Sequence, residues 1–184
     1  MQAISKNMIL ISLLLFTNIC NDQTINASLP EPGYLFINKN VEYLATENEI
    51  SVTDVLKPSS QKGFKKVPDI SVLFKGYDAY HYWYRFSISN KDTVNKPLIF
   101  LLGQLGIRHA EIWKRDKNTW VSLGKTGYKY PFKSRPHLFA HYAYPIFVAP
   151  LVTDTFYVNA DENHAFKVIA FALLKPKVMN QMEK

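Results

Sequence analysis

Tyr80-His81-Tyr82-Trp83-Tyr84-Arg85-Phe86-Ser87-Ile88-Ser89 is the most regular stretch of the chain. Tyr82, Tyr84, Phe86 and Ile88 fall on one side of an extended backbone, and Trp83, Arg85, Ser87 and Ser89 on the other. Period-2 alternation of this kind predicts a half-buried antiparallel strand. Asn90-Lys91-Asp92 follows as a turn. Downstream, Pro97–Leu102 is a short continuous apolar run, which predicts a strand covered on both faces. Ile107–Lys114 and Thr119–Leu123 predict a hairpin over Arg115-Asp116-Lys117-Asn118. Leu138–Val148 is an aromatic strand region whose Pro145 demands an edge position or a bulge. Thr155–Ala160 and Ala165–Leu174 complete the series, parted by Asp161-Glu162-Asn163.

Upstream the signals are weaker. Val41–Leu44 reads as a strand, and Ser51–Leu56 as one helical turn with Ser51 as N-cap, stopped by Pro58. Residues 57–70 form a Lys/Ser/Pro loop around Phe64, and 21–40 read as a linker with one short strand at Tyr34–Ile37. The tail Lys175–Lys184 is polar. About eight strands with almost no helical pattern predict an all-β fold, a sandwich or jelly roll. One domain over 41–174 suits the 184-residue length.

The first residues read as an export signal: Lys6 in a short polar start, then the apolar run Met8–Phe16, then polar residues from Asn21. Nine apolar-rich positions fit a secretory signal and fall short of the ~20 that span a bilayer. Thr17-Asn18-Ile19-Cys20 also resembles a lipidation site, although Asn18 and Ile19 are not the small residues such a site prefers. The expectation is a signal over residues 1–20, with cleavage near Cys20 or Ala27. It leaves a cysteine-free mature chain suited to an oxidising periplasm or cell envelope.

Composition narrows the chemistry. Hydrophobic residues make up 47%, which excludes a disordered chain, and one cysteine excludes a disulfide scaffold and multi-cysteine metal sites. The 22 Lys+Arg outnumber 15 Asp+Glu, but no block of five like charges occurs, so the dispersal argues a solvated surface and no nucleic-acid partner. There is no Gly-x-Ser-x-Gly elbow, P-loop or Gly-x-Gly-x-x-Gly. His137 and His141 on one strand would stand about 13 Å apart, too far to share an ion, so no metal and no cofactor are expected. Asp69, Asp78, Glu111, Asp154, Asp161 and Glu162 are scattered, and no catalytic residue is assigned.

Aromatic residues, 14% of the chain, are the best candidates for binding. Trp83, Trp113 and Trp120, with Tyr77, Tyr80, Tyr128, Tyr130, Tyr142 and Tyr144, supply either core packing or a platform for a sugar ring. Arg85, on the Trp83 side of the regular strand, either holds a ligand group or pairs with an acid or a ring. The candidate ligand-binding set is Trp83, Arg85, Trp113, Tyr130 and Arg135, facing a small polar ligand or glycan. The competing reading is an envelope protein-interaction module using an aromatic patch or sheet edge.

The order of motifs carries a resemblance. Gly76 leads into Trp83-Tyr84-Arg85-Phe86 and Asn90; then come Ile112-Trp113, Trp120, Gly127-Tyr128-Lys129-Tyr130-Pro131-Phe132-Lys133-Ser134-Arg135-Pro136 and Thr155-Phe156-Tyr157-Val158. This resembles the type-2 extracellular domain of bacterial seven-transmembrane receptors with diverse intracellular signalling modules (7TM-DISM), over roughly residues 40–174. The resemblance implies a periplasmic jelly-roll sensor domain, similar in fold to carbohydrate-binding modules and binding small molecules or glycans. It implies no catalytic residues. In such receptors the domain precedes seven membrane helices and an intracellular signalling module. The chain ends ten residues after the last expected strand. The expectation is therefore a detached sensor, a piece of a receptor, or a stand-alone exported relative. Trp83, Arg85, Arg135 and Pro136 match the family motif and serve either the fold or a ligand.

Overall fold

The computed structural model describes residues 24–67, 73–76, 79–103, 106–116, 119–137, 139–161 and 167–183. The regular stretch forms strand β6 (His81–Ser89), and it lies inside the larger of two sheets. That sheet also holds β1 (Ile25–Asn26), β3 (Glu42–Thr46), β4 (Lys65–Lys66), β8 (His109–Asp116), β9 (Thr119–Thr126) and β11 (Thr153–Asp161). Its order is β4-β3-β6-β11-β8-β9, antiparallel throughout, with β1 added in parallel to the far end of β6. The smaller sheet runs in the order β10 (Tyr142–Val148), β7 (Lys96–Leu102), β13 (Phe171–Leu174) and β2 (Tyr34–Phe36), also antiparallel. A separate pair, β5 (Leu73–Gly76) with β12 (Lys167–Ile169), makes a short ribbon. The two sheets pack as a β-sandwich. Pro145 sits on β10, at the edge of its sheet, where a strand can lack an N–H without breaking a second ladder.

The inner faces meet through aromatic rings. Phe86 of β6 stacks on Phe100 of β7 at 4.9 Å between centroids and on Phe156 of β11 at 5.3 Å. Phe171 reaches Tyr84 at 4.9 Å and Phe100 at 6.0 Å. Two tyrosines of β10 cross the seam: the Tyr144 hydroxyl donates to the Ala110 carbonyl (3.0 Å) and the Tyr142 hydroxyl to the Ile107 carbonyl (3.1 Å). A buried phenol thus adds apolar area while its one polar group finds a backbone partner in the opposite sheet. Burial drives the Tyr144 hydroxyl strongly toward its protonated, donating form. Asn38 stitches the β2 side, its amide donating to Ile169 O (3.1 Å) and accepting from Phe171 N (2.8 Å).

The outer face of each sheet is covered as well. Helices α1 (Val52–Val55) and α2 (Pro58–Lys62) lead to Phe64 and bring an apolar layer over Leu44, Trp83 and Tyr157. Helix α1 begins with Ser51, whose side chain accepts from Asp54 N while Asp54 reaches back to Ser51 N, a reciprocal cap. Residues 57–70, read as a loop, therefore contain a short helix. On the smaller sheet, α3 (Pro176–Met182) lays Met179 against Ile99, Ala143, Ala172 and Leu174. Its stripe of Val178, Met179 and Met182 is too short to register as helical in sequence. Ile25, Ala27, Leu29 and Ile37, from the stretch read as a linker, also join the main core.

Gly127, where β9 leaves the sheet, has φ +124°. A Cβ there would stand 2.3 Å from the Arg108 carbonyl oxygen. That closeness lets Tyr128 N and Lys129 N bond to the carbonyls of Ile107 and Arg108, both at 3.0 Å. Gly127→Ala is expected to lower the unfolding free energy by roughly 2 kcal/mol or more, through backbone strain and the clash. Urea unfolding of the purified variant reads it; an unchanged midpoint would remove this account of the glycine.

Candidate functional site

Strand register sets one row of side chains across the outer face of the larger sheet. Lys66, Glu42, Arg85, Tyr157, Trp113 and Ser122 are successive cross-strand partners from β4 to β9. Neighbouring strands lie about 4.8 Å apart, so Arg85 and Trp113 stand roughly 10 Å from each other with Tyr157 between them. In the next row Ser87 and Thr155 share a hydroxyl hydrogen bond of 2.9 Å.

Arg85 is held from three sides. Its Nε donates to Glu42 Oε2, its Nη1 donates to Gln61 Oε1 at 2.7 Å, and its guanidinium lies 4.2 Å from the Phe64 ring centre. The Tyr157 hydroxyl donates to the same Gln61 oxygen at 3.0 Å. Two of the five guanidinium N–H donors are thus engaged by side chains, and the group is fixed in direction by ring and carboxylate together. Trp120 meets Tyr157 edge-on at 5.1 Å.

Two hollows open beside this row. The first, of about 310 Å³, is lined by Thr24, Glu42, Gln61, Arg85, Thr155 and Tyr157, among others. The second, of about 390 Å³, is lined by Arg115, Trp120, Thr153, Asp154, Thr155 and Tyr157. Thr155 and Tyr157 belong to both, so the hollows adjoin along β11. Of their charged groups, Arg85 pairs with Glu42, and Asp154 with Lys114 at 2.6 Å. Fixed donors, hydroxyls and an aromatic edge around a few hundred cubic ångströms suit a small polar molecule.

The five residues singled out from sequence divide into two places. Arg85 and Trp113 share the row, and Trp83 lies one row away on the same face. Trp83 is only 2% exposed, beneath the layer carrying Val55 and Phe64, and its indole N–H has no hydrogen-bond partner among the described residues. Tyr130 and Arg135 lie at the far end of the sandwich, in the loop between β9 and β10. The Tyr130 hydroxyl meets His109 Nδ1 at 2.8 Å. Arg135 lies 4.6 Å from the ring centres of both Phe132 and Tyr142, and donates to Phe139 O at 3.2 Å. These contacts shape the loop that Gly127 begins. Glu42, Gln61, Thr155 and Tyr157 were not singled out, and Trp120 was named among the aromatic candidates without entering the binding set. Tyr157 and Thr155 were accessible through the alternation of β11; Gln61 was not, since it reaches the row from a helix.

Among the described residues no group of three His, Cys, Asp or Glu could hold a metal ion, and no helix is long and apolar enough to cross a membrane. A two-sheet β-sandwich with an open polar hollow on one sheet has the form of a binding domain. The 7TMR-DISM extracellular 2 family model matches residues 38–170, more than half of the chain, and the chain belongs to that family. It is accordingly an extracellular sensor domain of the 7TM-DISM receptor type, a kind of domain that is not catalytic by itself. No curated protein matches the chain.

His109, in contact with Tyr130, is held below its ordinary pKa chiefly by burial, with Glu111 opposing. The unfolded chain therefore takes up the proton first, so stability is full above about pH 6.5 and declines as pH falls through the lower folded value. Urea midpoints at about pH 7.5 and about pH 5 should differ more in the wild type than in His109→Gln. Equal differences would place the pH dependence elsewhere.

Proposed function

We propose that this sensor domain recognises a small polar ligand, a saccharide or similar polyol, in the paired hollows on the outer face of the larger sheet. The observation that carries the reading is their junction at Thr155 and Tyr157, where fixed Arg85, the Ser87–Thr155 hydroxyls and Trp120 border one continuous recess. Ligand hydroxyls would exchange hydrogen bonds with Arg85, Ser87, Thr155 and Asp154, while a C–H face packs on Trp120. The pairing of Arg85 with Glu42 and of Asp154 with Lys114 favours a neutral ligand over an ionic one. Trp83 and Trp113 pack in the layer beside the hollows and support Tyr157; Tyr130 and Arg135, at the other end, order their loop.

The same reading takes the sandwich as a jelly roll of the carbohydrate-binding-module kind. What supports it is nested pairing along the chain: β2 with β13, β6 with β11, β7 with β10, and β8 with β9. Each successive pair lies inside the previous one in sequence, as in a long hairpin rolled into two sheets. The reading also places the domain outside the inner membrane, exported by the signal over residues 1–20 and anchored, if at all, through a receptor or Cys20.

Isothermal titration of the mature domain against a panel of neutral mono- and disaccharides tests the proposal. At least one should bind, and Trp120→Ala should weaken it about tenfold, equivalent to ~1.4 kcal/mol. Thr155→Arg, which fills the junction of the hollows, should abolish binding while circular dichroism stays unchanged. Binding that survives Thr155→Arg rejects this site; no binding across the panel rejects the saccharide.

A further inference from the structure

The loop between β9 and β10 combines order with exposure. Its backbone is pinned at Gly127 and tightened by Ser134 N→Pro131 O at 2.9 Å and Arg135 N→Phe132 O at 3.2 Å. Arg135 packs between Phe132 and Tyr142, as described above. Yet Tyr128 is 57% exposed and Phe132 49%, and Lys129, Pro131, Lys133, Ser134 and Pro136 are exposed too. The loop holds two large rings out in water, although burying them elsewhere would be favourable by the usual apolar-area rule. The end of α3 adjoins it through His137 Nδ1 and Glu183 Oε1 at 3.0 Å, which brings half-exposed Met182 to the same end.

Charge reinforces the pattern. From Lys117 to Thr153 the chain has no Asp or Glu, while it carries Lys117, Lys125, Lys129, Lys133 and Arg135. Lys129 and Lys133 have no ion-pair partner among the described residues. The opposite end of the sandwich also exposes apolar side chains, Val94, Phe147, Leu151 and Val152, but there Lys96 pairs with Asp92 at 2.5 Å and Lys114 with Asp154 at 2.6 Å. The β9–β10 end joins two exposed rings to two lysines without an ion-pair partner among the described residues.

We propose that the β9–β10 loop, through Tyr128, Lys129, Phe132 and Lys133, docks the domain on an anionic phospholipid bilayer. Tyrosine and phenylalanine rings settle at the level of the headgroups, and lysines keep their ammonium groups at the phosphates while their stems follow the apolar boundary. A handful of side chains at the tip of one loop is well short of the ~800 Å² per partner that a stable protein interface needs. A bilayer accepts such a narrow tip because it has no shape of its own to match. The hollows, lined by β11 from Thr153 to Tyr157, lie about 13–26 Å along the strand from Asp161 at its loop end, and stay open to solvent in this orientation. The proposal does not depend on what the hollows bind.

Sedimentation of the full chain with vesicles tests it, using phosphatidylcholine alone and a one-to-one mixture with phosphatidylglycerol. Every variant keeps the same amino-terminal residues, so differences between variants read the loop and not the apolar run Met8–Phe16. Binding should require phosphatidylglycerol and weaken with salt, as the screening length shrinks from ~10 Å at 0.1 M to ~3 Å at 1 M. The pair Lys129→Glu and Lys133→Glu should reduce partitioning roughly tenfold or more. Phe132→Ser should also reduce it, and should leave the salt dependence in place. A charge-matched pair away from that loop, Lys62→Glu at the end of α2 and Lys65→Glu on edge strand β4, should have little effect. Indifference to phosphatidylglycerol, or equal loss in both lysine pairs, overturns the proposal. So does release by soluble glycerol phosphate, which would assign a phosphate site in place of a bilayer surface. Unchanged urea midpoints in all variants keep the comparison one of binding.

Discussion

Phe86, stacked on Phe100 across the seam and on Phe156 within its own sheet, is the contact on which the rest depends. It fixes the face of β6 that points inward, and a strand has only two faces. Once Tyr82, Tyr84, Phe86 and Ile88 are committed to the seam, Trp83, Arg85 and Ser87 must point out. A shift of one residue would put Arg85 in the core, where an unpaired guanidinium costs several kcal/mol. The position of the candidate site is therefore a consequence of core packing.

The outer face solves a second problem. Trp83 and Tyr157 are too large to leave fully in water, and the α1–α2 segment covers them in part with Val55 and Phe64. Covering brings Arg85 partly out of water, which is tolerable because Glu42, Gln61 and the Phe64 ring surround it. What the cover leaves open is the strip beyond Arg85, from Ser87 and Thr155 to Trp120. The recess is the uncovered remainder of a sheet face, bordered by the groups that stabilise its edge.

The fold sorts the charged side chains in a way that total charge conceals. An excess of seven positive charges reads as dispersed along the chain. In the fold, several acids pair with particular cations, including Asp161 with Arg108 and Asp92 with Lys96, and the β9–β10 loop is left with lysines that have no such partner among the described residues. The Gly-x-x-x-Pro-Phe-x-x-Arg-Pro motif in this loop has a structural basis: Gly127 permits the close approach to Arg108, and Arg135 clamps Phe132 against Tyr142.

Much of the fold was legible in advance because period-2 alternation reports which strands bury one face. β6, β7, the β8–β9 hairpin, the edge position of Pro145 and the Ser51 cap could all be read from local residues. Short strands such as β1 and β4, and helix α3, were missed because two-residue pairings and a two-turn helix carry no period; their partners hold them in place. The family was legible too, from motif order over most of the domain, and the matched model confirms it. By itself the sequence determined a β-rich domain of this family and the strand face that Trp83 and Arg85 share. Only the tertiary structure decided that Tyr157 stands between Arg85 and Trp113, that Gln61 reaches Arg85 and Tyr157 from α2, and that Tyr130 and Arg135 belong to the other end. The reason is physical: alternation sets the phase of each strand, whereas neighbours across a sheet are set by register between distant segments.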